Sequence, residues 1–382
     1  MVKSALIPTY REWSGTTIQD RVDLVLLQIH NSLCPEVTYM ANQMLDEAGC
    51  AWGDTDASID ALYWGFKNRF YYLPDPFELD HFGNAHRLFL TWGGKANGTL
   101  DENAGWAGDC DDSSTVLGAL GVSTARRTGI QAVGVKVIAP DGRNFVHIYE
   151  GMMKGDGKIV WLDATVATAV PNWQPPPAYR KKERVFWFDP SKFANVQPQL
   201  SGLVLADHVA TLQMPLAGDV DRSSVRARVD GLINRCYRSL RDPLTRISAI
   251  HMIREAGCRS RDELAEAKAM LDGVRNRFQL SGPVGGSIRT LGQVVNGVDD
   301  SESVVAMAGD EDDAAMALCS LTLVIGFRTG VRALPDGQLR PVVEMPRSRS
   351  KNKVRKTLDL DLATGQAFYG KGGNVYWYQE RH

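Results

Sequence analysis

The sequence predicts an α+β protein built from two tandem domains. Helix-like segments fill the first hundred residues, strand-like segments follow them, and short motifs of the first half return in the same order in the second half. A chain of 382 residues is long enough for two or three domains. We therefore expect one domain over residues 1–200 and another over residues 201–382, each with a helical subdomain and an antiparallel sheet.

Three helices are expected at the start of the chain. The first covers residues 18–33, where Thr17 can cap the helix, Asp20 follows three residues later, and apolar residues recur at helical spacing. The second and third cover residues 37–48 and 58–70. Together they predict a helical subdomain that precedes the sheet.

Strands are expected after the helices, at residues 133–138, 144–150 and 159–163, where β-branched and aromatic residues concentrate. The turn sequence Pro140-Asp141-Gly142 between the first two predicts an antiparallel hairpin. From residue 171 the chain becomes rich in proline, and residues 180–184 form a run of charges. We expect a linker to the second domain over roughly residues 190–220.

Composition excludes several classes of protein. The formal net charge is −2, with 44% hydrophobic and 23% charged residues, which argues against nucleic acid as a partner. No apolar run approaches the length of a membrane span, and the first residues do not resemble a signal peptide. Six cysteines without a C-x-x-C pair indicate a reducing, cytoplasmic compartment rather than a disulfide scaffold or a zinc site. No metal or cofactor is predicted.

Cys110, His147 and Asp163 are the candidate catalytic residues. Cys110 lies at the predicted start of a helix, His147 within a strand and Asp163 at the end of the next strand. Thiol catalysis needs such a set: a nucleophile, a base within hydrogen-bond reach and a third group that orients the base. The backbone N–H of Cys110 would be one oxyanion donor, and a second donor is not assigned, although Trp106 is near in sequence.

Three aspartates next to the cysteine count against a reactive thiol. Anionic groups beside Cys110 raise the pKa of its thiol, whereas a helix start lowers it. The same acidic pattern surrounds Glu311 in the second half, where there is no thiol to tune. We therefore interpret Asp109, Asp111 and Asp112 as residues that serve the helix start and the packing of the domain.

The region from residue 106 to 166 resembles the core of transglutaminase-like cysteine enzymes of the papain-like superfamily. The resemblance is carried by the sequence Gly-Asp-Cys-Asp-Asp at residues 108–112, the histidine within a strand, and Leu-Asp-Ala-Thr-Val at residues 162–166. It implies a tandem of papain-like folds and thiol-dependent amide chemistry, either hydrolysis or acyl transfer. The implied substrate is a protein or peptide: a glutamine side chain, an isopeptide or a peptide bond.

Repeated motifs indicate that the second half duplicates the first. They are Arg-Val-Asp at 21 and 228, Glu-Ala-Gly-Cys at 47 and 255, Asn-Arg-Phe at 68 and 276, Ala-Gly-Asp at 107 and 308, Arg-Thr-Gly at 127 and 328, Pro-Asp-Gly at 140 and 335, and Leu-Asp at 162 and 358. In this alignment Glu311 replaces Cys110, Val342 or Val343 replaces His147, and Asp359 replaces Asp163. The second domain is therefore expected to be a degenerate copy without catalytic activity.

A structural or assembly role is the alternative to catalysis. Transglutaminase-like domains also occur among phage structural proteins, and that resemblance implies a virion component with protein partners. Five alternating basic residues would share one face of a strand, which we interpret as a charged edge or protein contact rather than a phosphate site: Arg347, Arg349, Lys351, Lys353 and Arg355.

Overall fold

The computed structural model describes residues 10–12, 17–76, 79–140, 146–193, 224–281, 288–298, 304–345, 356–370 and 375–378. The fold is mixed helix and antiparallel sheet, as the sequence predicts. The chain divides into two compact units: Met1–Tyr72 with Glu78–Leu203, and Leu73–Phe77 with Val204–His382. None of the helices in the described ranges has the length and apolar character needed to span a bilayer.

Among its described residues, the first unit has six α-helices before and beside a four-stranded sheet. Its elements are β1 (Tyr10–Glu12), α1 (Ile18–Asn31), α2 (Pro35–Glu47), α3 (Thr55–Lys67), β2 (Phe70–Tyr72), β3 (Leu79–His81), α4 (Ala85–Thr91), β4 (Trp106–Gly108), α5 (Cys110–Ser123), α6 (Ala125–Thr128), β5 (Ala132–Ala139), β6 (His147–Met153), β7 (Ile159–Leu162) and β8 (Lys182–Trp187).

The sheet of the first unit has the order β7-β6-β5-β8, and all of its pairs are antiparallel. Strands β2 and β4 form a short parallel pair, and β1 pairs with β3. Helix α5 lies at the centre: residues 111–121 are buried, because α1, α2 and α3 contact it as well as β5 and β6. An apolar helix surrounded on every side is the pattern of a core helix.

The predicted helices of the first unit are confirmed within a few residues. Helix α1 begins with the expected capping box, in which Thr17 and Asp20 exchange hydrogen bonds. The sequence predicts no strand over the charge run at 180–184, whereas the structure has the edge strand β8 at Lys182–Trp187. Charged side chains suit such an edge because they discourage pairing with other chains. The five basic residues from Arg347 to Arg355 lie outside the described residues.

The second unit has the same kinds of elements in a similar order. They are α7 (Val225–Ser239), α8 (Pro243–Glu255), α9 (Glu263–Arg277), β9 (Phe278–Leu280), α10 (Leu291–Val294), β10 (Val295–Val298), β11 (Val304–Gly309), α11 (Glu311–Val324), β12 (Thr329–Ala333), β13 (Leu339–Met345), β14 (Lys356–Asp361), β15 (Gln366–Tyr369) and β16 (Val375–Trp377). Its main sheet has the order β15-β14-β13-β12-β16, and β9 pairs with β11 in parallel, as β2 does with β4.

Individual hydrogen bonds also recur between the two units. In the first unit the hydroxyl of Ser32 accepts from the backbone N–H of Ala85, at 2.8 Å. In the second, the hydroxyl of Ser239 accepts from the backbone N–H of Leu291, at 3.0 Å. Both serines come directly after or at the end of the first long helix of their unit, and both partners begin a short helix. The two units thus use the same bond to fix corresponding elements.

Glu150 is a carboxyl group in the core of the first unit. Its side chain has no solvent exposure, and its Oε1 accepts from the backbone N–H of Gly134 at 3.1 Å. Oε2 faces helix α5 near Gly118 and has no hydrogen-bond partner among the described residues. Burial raises the pKa of Glu150 well above its ordinary value, because the interior favours the protonated, neutral acid.

Replacing Glu150 by glutamine is expected to stabilise the protein at high pH. The folded state keeps a proton that the unfolded chain releases above pH ~4.3, so stability is complete below that pH and is lost as pH rises towards the folded-state pKa. We expect Glu150→Gln to increase the free energy of unfolding by about 1–3 kcal/mol at pH 8 and to change it little at pH 4. Urea denaturation at both pH values, with the exposed Glu102→Gln as control, measures this; a gain independent of pH would contradict it.

Candidate active site

Cys110 is the first residue of helix α5. Strand β4 ends at Gly108, and Asp109 caps the helix by accepting from the backbone N–H of Asp111 at 3.2 Å. The cysteine side chain is half-buried and packs against apolar residues that include Ile148 of strand β6. The sequence prediction that the cysteine lies at a helix start is therefore met.

The Cys110 thiol bonds to the backbone of β6 at a point beyond the end of the neighbouring strand β7. Strand β7 ends at Leu162, which pairs with Glu150, so the backbone of Ile148 lies beyond the last pair of β6 and β7. The N–H of Ile148 donates to the Cys110 thiol instead. Because His147 precedes Ile148, this bond holds the thiol beside the first residue of β6.

His147 and Asp163 form the hydrogen bond that the sequence predicts. The distance from His147 Nε2 to Asp163 Oδ2 is 2.7 Å, with the histidine side chain 21% exposed and the aspartate fully buried. Extending the β6–β7 register by one residue sets Asp163 opposite Tyr149. His147 lies two residues before Tyr149 on the same face of β6, so it reaches Asp163 diagonally. The fifteen residues between them form the connecting hairpin.

Asp163 is held in one orientation from its other side. Its Oδ1 accepts from the backbone N–H and the hydroxyl of Thr165, at 3.1 and 2.7 Å. Burial favours the neutral carboxyl, but the bonds and charge from His147 and the bonds from Thr165 outweigh it, so the pKa of Asp163 is lowered. Asp163 is thus a buried carboxylate fixed on the imidazole.

Tyr63 and Lys67 of helix α3 hold the segment that carries Asp163, and sequence reasoning missed both. The hydroxyl of Tyr63 lies 3.0 Å from the carbonyl oxygen of Asp163 and 2.8 Å from that of Ala169. Lys67 Nζ donates to the carbonyl of Val166 at 2.9 Å and also to that of Ala169. Nothing in the sequence marks these contacts, because about a hundred residues separate the partners.

The resting thiol of Cys110 is neutral. Burial raises its pKa well above the ordinary value, the charges of Asp109 and Asp111 raise it further, and that of Asp163 adds to them. The bond from Ile148 opposes this rise. The structure therefore bonds the Cys110 thiol to the backbone of Ile148, the residue that follows His147, and joins His147 to Asp163.

Replacing Asp109 by asparagine is expected to make Cys110 more reactive. Asparagine caps helices as well as aspartate does, so the helix start is retained while one negative charge is removed. The pKa of Cys110 should fall, and the thiolate fraction at a given pH below that pKa should rise. We expect iodoacetamide to label Cys110 several-fold faster at pH 8, as measured by mass spectrometry of the Cys110 peptide.

Cys34 supplies the internal control for this experiment. It is a half-buried cysteine in the same unit, and Asp109 is not among the groups that shift its pKa. Its labelling rate should be the same in both proteins. An unchanged rate at Cys110 in the Asp109→Asn protein would show that the capping carboxylate does not control the thiol.

The indole of Trp106 is not available as an oxyanion donor. Its side chain is fully buried, and Nε1 donates to the carbonyl of Ala85 at 2.9 Å. The backbone N–H of Cys110 belongs to the first turn of a helix, where N–H groups have no partner within the helix. This N–H remains the assigned donor, and the helix dipole favours negative charge there.

The aspartates around the cysteine have structural partners, as the sequence interpretation expects. Asp112 is fully buried, and its Oδ1 accepts from the backbone N–H of Gly83 at 2.8 Å. The corresponding Asp313 of the second unit accepts from the backbone N–H of Arg289, also at 2.8 Å. Both carboxylates therefore connect the start of the core helix to the segment before the short helix.

Strand pairing changes two of the predicted correspondences in the second unit. The residues paired across the strands of the first sheet include Trp187, Gly134, Gly151 and Trp161, in that order. The matching set in the second sheet, which also begins with a tryptophan and a glycine, is Trp377, Gly330, Val342 and Asp359. Asp359 therefore takes the place of Trp161, not of Asp163. By the same register Gln338 stands at the position of His147, and Asp361 at that of Asp163.

The second unit has different chemistry at these positions. Glu311 is the first residue of helix α11, where the first unit has Cys110. Asp361 is bonded to Arg340, with 3.0 Å between Oδ2 and Nη2. A carboxylate, an amide and an aspartate–arginine pair offer neither a thiol nor an imidazole base.

No protein-family model matches the chain, and comparisons with curated proteins and with solved structures give no match. What the site can do therefore rests on its own geometry and chemistry.

Proposed function

We propose that the first unit carries out thiol-dependent amide chemistry with Cys110 as nucleophile, His147 as base and Asp163 as the residue that orients the base. The observation that carries the proposal is the 2.7 Å bond between His147 Nε2 and a buried, doubly anchored Asp163, beside a thiol at a helix start. A base with its orienting carboxylate next to a nucleophile is the arrangement that such catalysis requires.

The neutral thiol determines the order of proton transfers. Nε2 of His147 donates to Asp163, so Nδ1 of the neutral ring keeps a lone pair. As Cys110 Sγ attacks the carbonyl carbon, Nδ1 takes the thiol proton and later returns it to the leaving amine. The negative charge of the tetrahedral intermediate would be stabilised by the N–H of Cys110 and the start of α5. Asp163 stabilises the imidazolium that forms in between.

The product depends on what attacks the acyl-enzyme. Water gives hydrolysis, and an amine gives acyl transfer, because both reactions share the thioester on Cys110. The substrate class is a protein or peptide amide: a glutamine side chain, an isopeptide or a peptide bond. This follows from the transglutaminase-like resemblance of residues 106–166.

The second unit is, in this proposal, a degenerate copy of the first. Support comes from the shared serine bonds, the shared aspartate bonds and the matching sets of residues paired across the two sheets. Glu311 and Gln338 stand at the positions of the nucleophile and the base, so chemistry is assigned to the first unit alone.

Trapping the acyl-enzyme tests the proposal. The protein is mixed with a peptide mixture rich in glutamine, with and without a fluorescent primary amine, and quenched in acid. We expect a thioester adduct on the Cys110 peptide, with ammonia from a glutamine or a new amino group from a peptide or isopeptide bond released as the adduct forms. Incorporation of the fluorescent amine then marks transfer, and a new carboxylate marks hydrolysis. Cys110→Ala should abolish the adduct and the products, and His147→Ala should reduce the rate at least about 100-fold.

The matched control is Cys50→Ala, which removes a half-buried thiol outside the set. It should leave the adduct and the products unchanged. Absence of any Cys110 adduct, or products that persist in Cys110→Ala, would overturn the proposal.

A non-catalytic assembly protein is the second candidate. The raised pKa of Cys110 and the loss of both thiol and imidazole in the second unit favour it. This role predicts stoichiometric association with protein partners, for example in a phage particle, and unchanged association in Cys110→Ala. Analytical ultracentrifugation of the purified protein with candidate particles measures this.

A further inference from the structure

We propose that Cys34, Glu36 and His86 of the first unit bind one zinc ion. A thiol sulfur, a carboxylate oxygen and an imidazole nitrogen from these residues all lie within 4.8 Å of one another. These are the three ligand types that zinc takes in proteins. The sequence predicts no metal site, and this inference is independent of the function proposed for Cys110.

The fold brings the three ligands together from two elements. Cys34 immediately precedes helix α2 and Glu36 is its second residue, whereas His86 belongs to helix α4, about fifty residues later. In tetrahedral zinc sites with such ligands, neighbouring ligand atoms lie about 3.3–3.6 Å apart. Movements of about 1 Å in side chains would therefore complete the geometry.

His86 is prepared to act as a ligand. Its Nε2 lies 3.1 Å from the carbonyl oxygen of Ala96, which can only accept, so Nε2 carries the proton. The neutral ring then keeps a lone pair on Nδ1. A ligating histidine in proteins commonly donates its other N–H to a backbone carbonyl in this way, which fixes the ring orientation.

Cys34 lies at the N-cap of α2, a position where cysteine is not a preferred residue. The backbone N–H groups of Val37 and Glu36 approach its sulfur there, but no close capping bond forms. In the second unit the N-cap of the corresponding helix α8 is Asp242, which accepts from the backbone N–H of Leu244 at 3.0 Å. Aspartate is among the best N-cap residues, whereas cysteine is not among the preferred ones. A metal-ligating role explains why the first unit has a thiol here.

Comparison with the second unit also predicts how many zinc ions each chain binds. Both cap positions are followed by proline, and Leu244 then stands where the first unit has Glu36. Leucine cannot ligate a metal, so one ion per chain is expected. Cys34 and Glu36 are half-buried and His86 is buried, which leaves a side open for entry of the ion and for a water as fourth ligand.

Metal titration of the full chain tests the site. Metal is removed by dialysis against a chelator, and the protein is titrated with Co²⁺, whose absorption reports thiolate ligation, and then with Zn²⁺ in competition with a chromophoric chelator. We expect one equivalent of each ion and a sulfur-to-cobalt charge-transfer band. Cys34→Ser should remove that band and weaken zinc binding at least about 100-fold, since it deletes a ligand rather than an outer-shell partner.

Cys34→Ser is a suitable variant because serine is a preferred N-cap, so the helix should form at least as well. His86→Gln and Glu36→Gln should also weaken zinc binding, whereas Cys50→Ser, a half-buried cysteine outside the cluster, should bind as the wild type does. A wild-type protein without stoichiometric zinc, or a Cys34→Ser protein with unchanged affinity and cobalt spectrum, would overturn the proposal.

Discussion

Replacing Asp163 by asparagine is expected to slow acyl-enzyme formation by roughly 10²–10⁴-fold. The amide would still accept from Thr165 through its oxygen, but its NH₂ group would face Nε2 of His147. Nε2 must then accept, so the ring proton moves to Nδ1, and this nitrogen can no longer take the thiol proton. The rate of thioester formation on Cys110, followed by quench and mass spectrometry, measures the effect.

Asp361→Asn is the matched control for this variant. Asp361 occupies the corresponding register position of the second unit and is bonded to Arg340. Its replacement should leave the rate at Cys110 unchanged. If Asp163→Asn retained the full rate while Cys110→Ala had none, orientation of the imidazole by Asp163 would be excluded as part of the mechanism.

Replacing Gly108 by alanine is expected to destabilise the protein by about 3 kcal/mol or more. A Cβ at this position would lie 2.2 Å from Oδ2 and 2.4 Å from Cβ of Asp112, which is fully buried and bonded to the N–H of Gly83. Either the backbone of β4 or the buried carboxylate must move. Urea denaturation monitored by tryptophan fluorescence measures the loss.

Two further glycines make this result interpretable. Gly155→Ala should change stability by less than about 0.5 kcal/mol, because no heavy atom lies within 4 Å of the added Cβ. Gly309→Ala should be destabilising, since its Cβ would lie 2.6 Å from Oδ2 of Asp313. Equal stability of the Gly108→Ala and Gly155→Ala proteins would contradict the proposed close contact.

The requirement for glycine explains part of the motif on which the resemblance rests. In both units a glycine precedes the capping aspartate, and a buried carboxylate of the first helical turn lies over it. The Gly-Asp pair is therefore needed for the start of the core helix whether that helix begins with cysteine or with glutamate. The same Gly-Asp pair therefore occurs in the second unit, whose core helix begins with Glu311 and has no thiol there.

Motif matching between the halves is correct at the ends of the long helices and at the start of the core helix, and it fails where the connections between elements differ in length. Arg277 bonds Glu255 in the second unit as Arg69 bonds Glu47 in the first. The Arg-Thr-Gly match is wrong as a structural correspondence: Thr128 ends helix α6, whereas Thr329 begins strand β12. Three-residue matches carry no information about register, which is set by cross-strand pairing.

Four features could be predicted from sequence alone: the helix-then-sheet order, the capped start of α1, the placement of Cys110 at a helix start and the pairing of His147 with Asp163. These follow from local patterns, because capping, periodicity and strand adjacency act over a few residues or across one hairpin.

The other features of the site depend on how distant parts of the chain pack together. Tyr63 and Lys67 bond to the segment that carries Asp163. Burial and neighbouring charges raise the pKa of Cys110. Packing of α2 against α4 brings Cys34, Glu36 and His86 into one cluster. Contacts between residues fifty to a hundred positions apart depend on how helices pack against one another. Desolvation depends on what surrounds a group in space, and a linear sequence specifies neither directly.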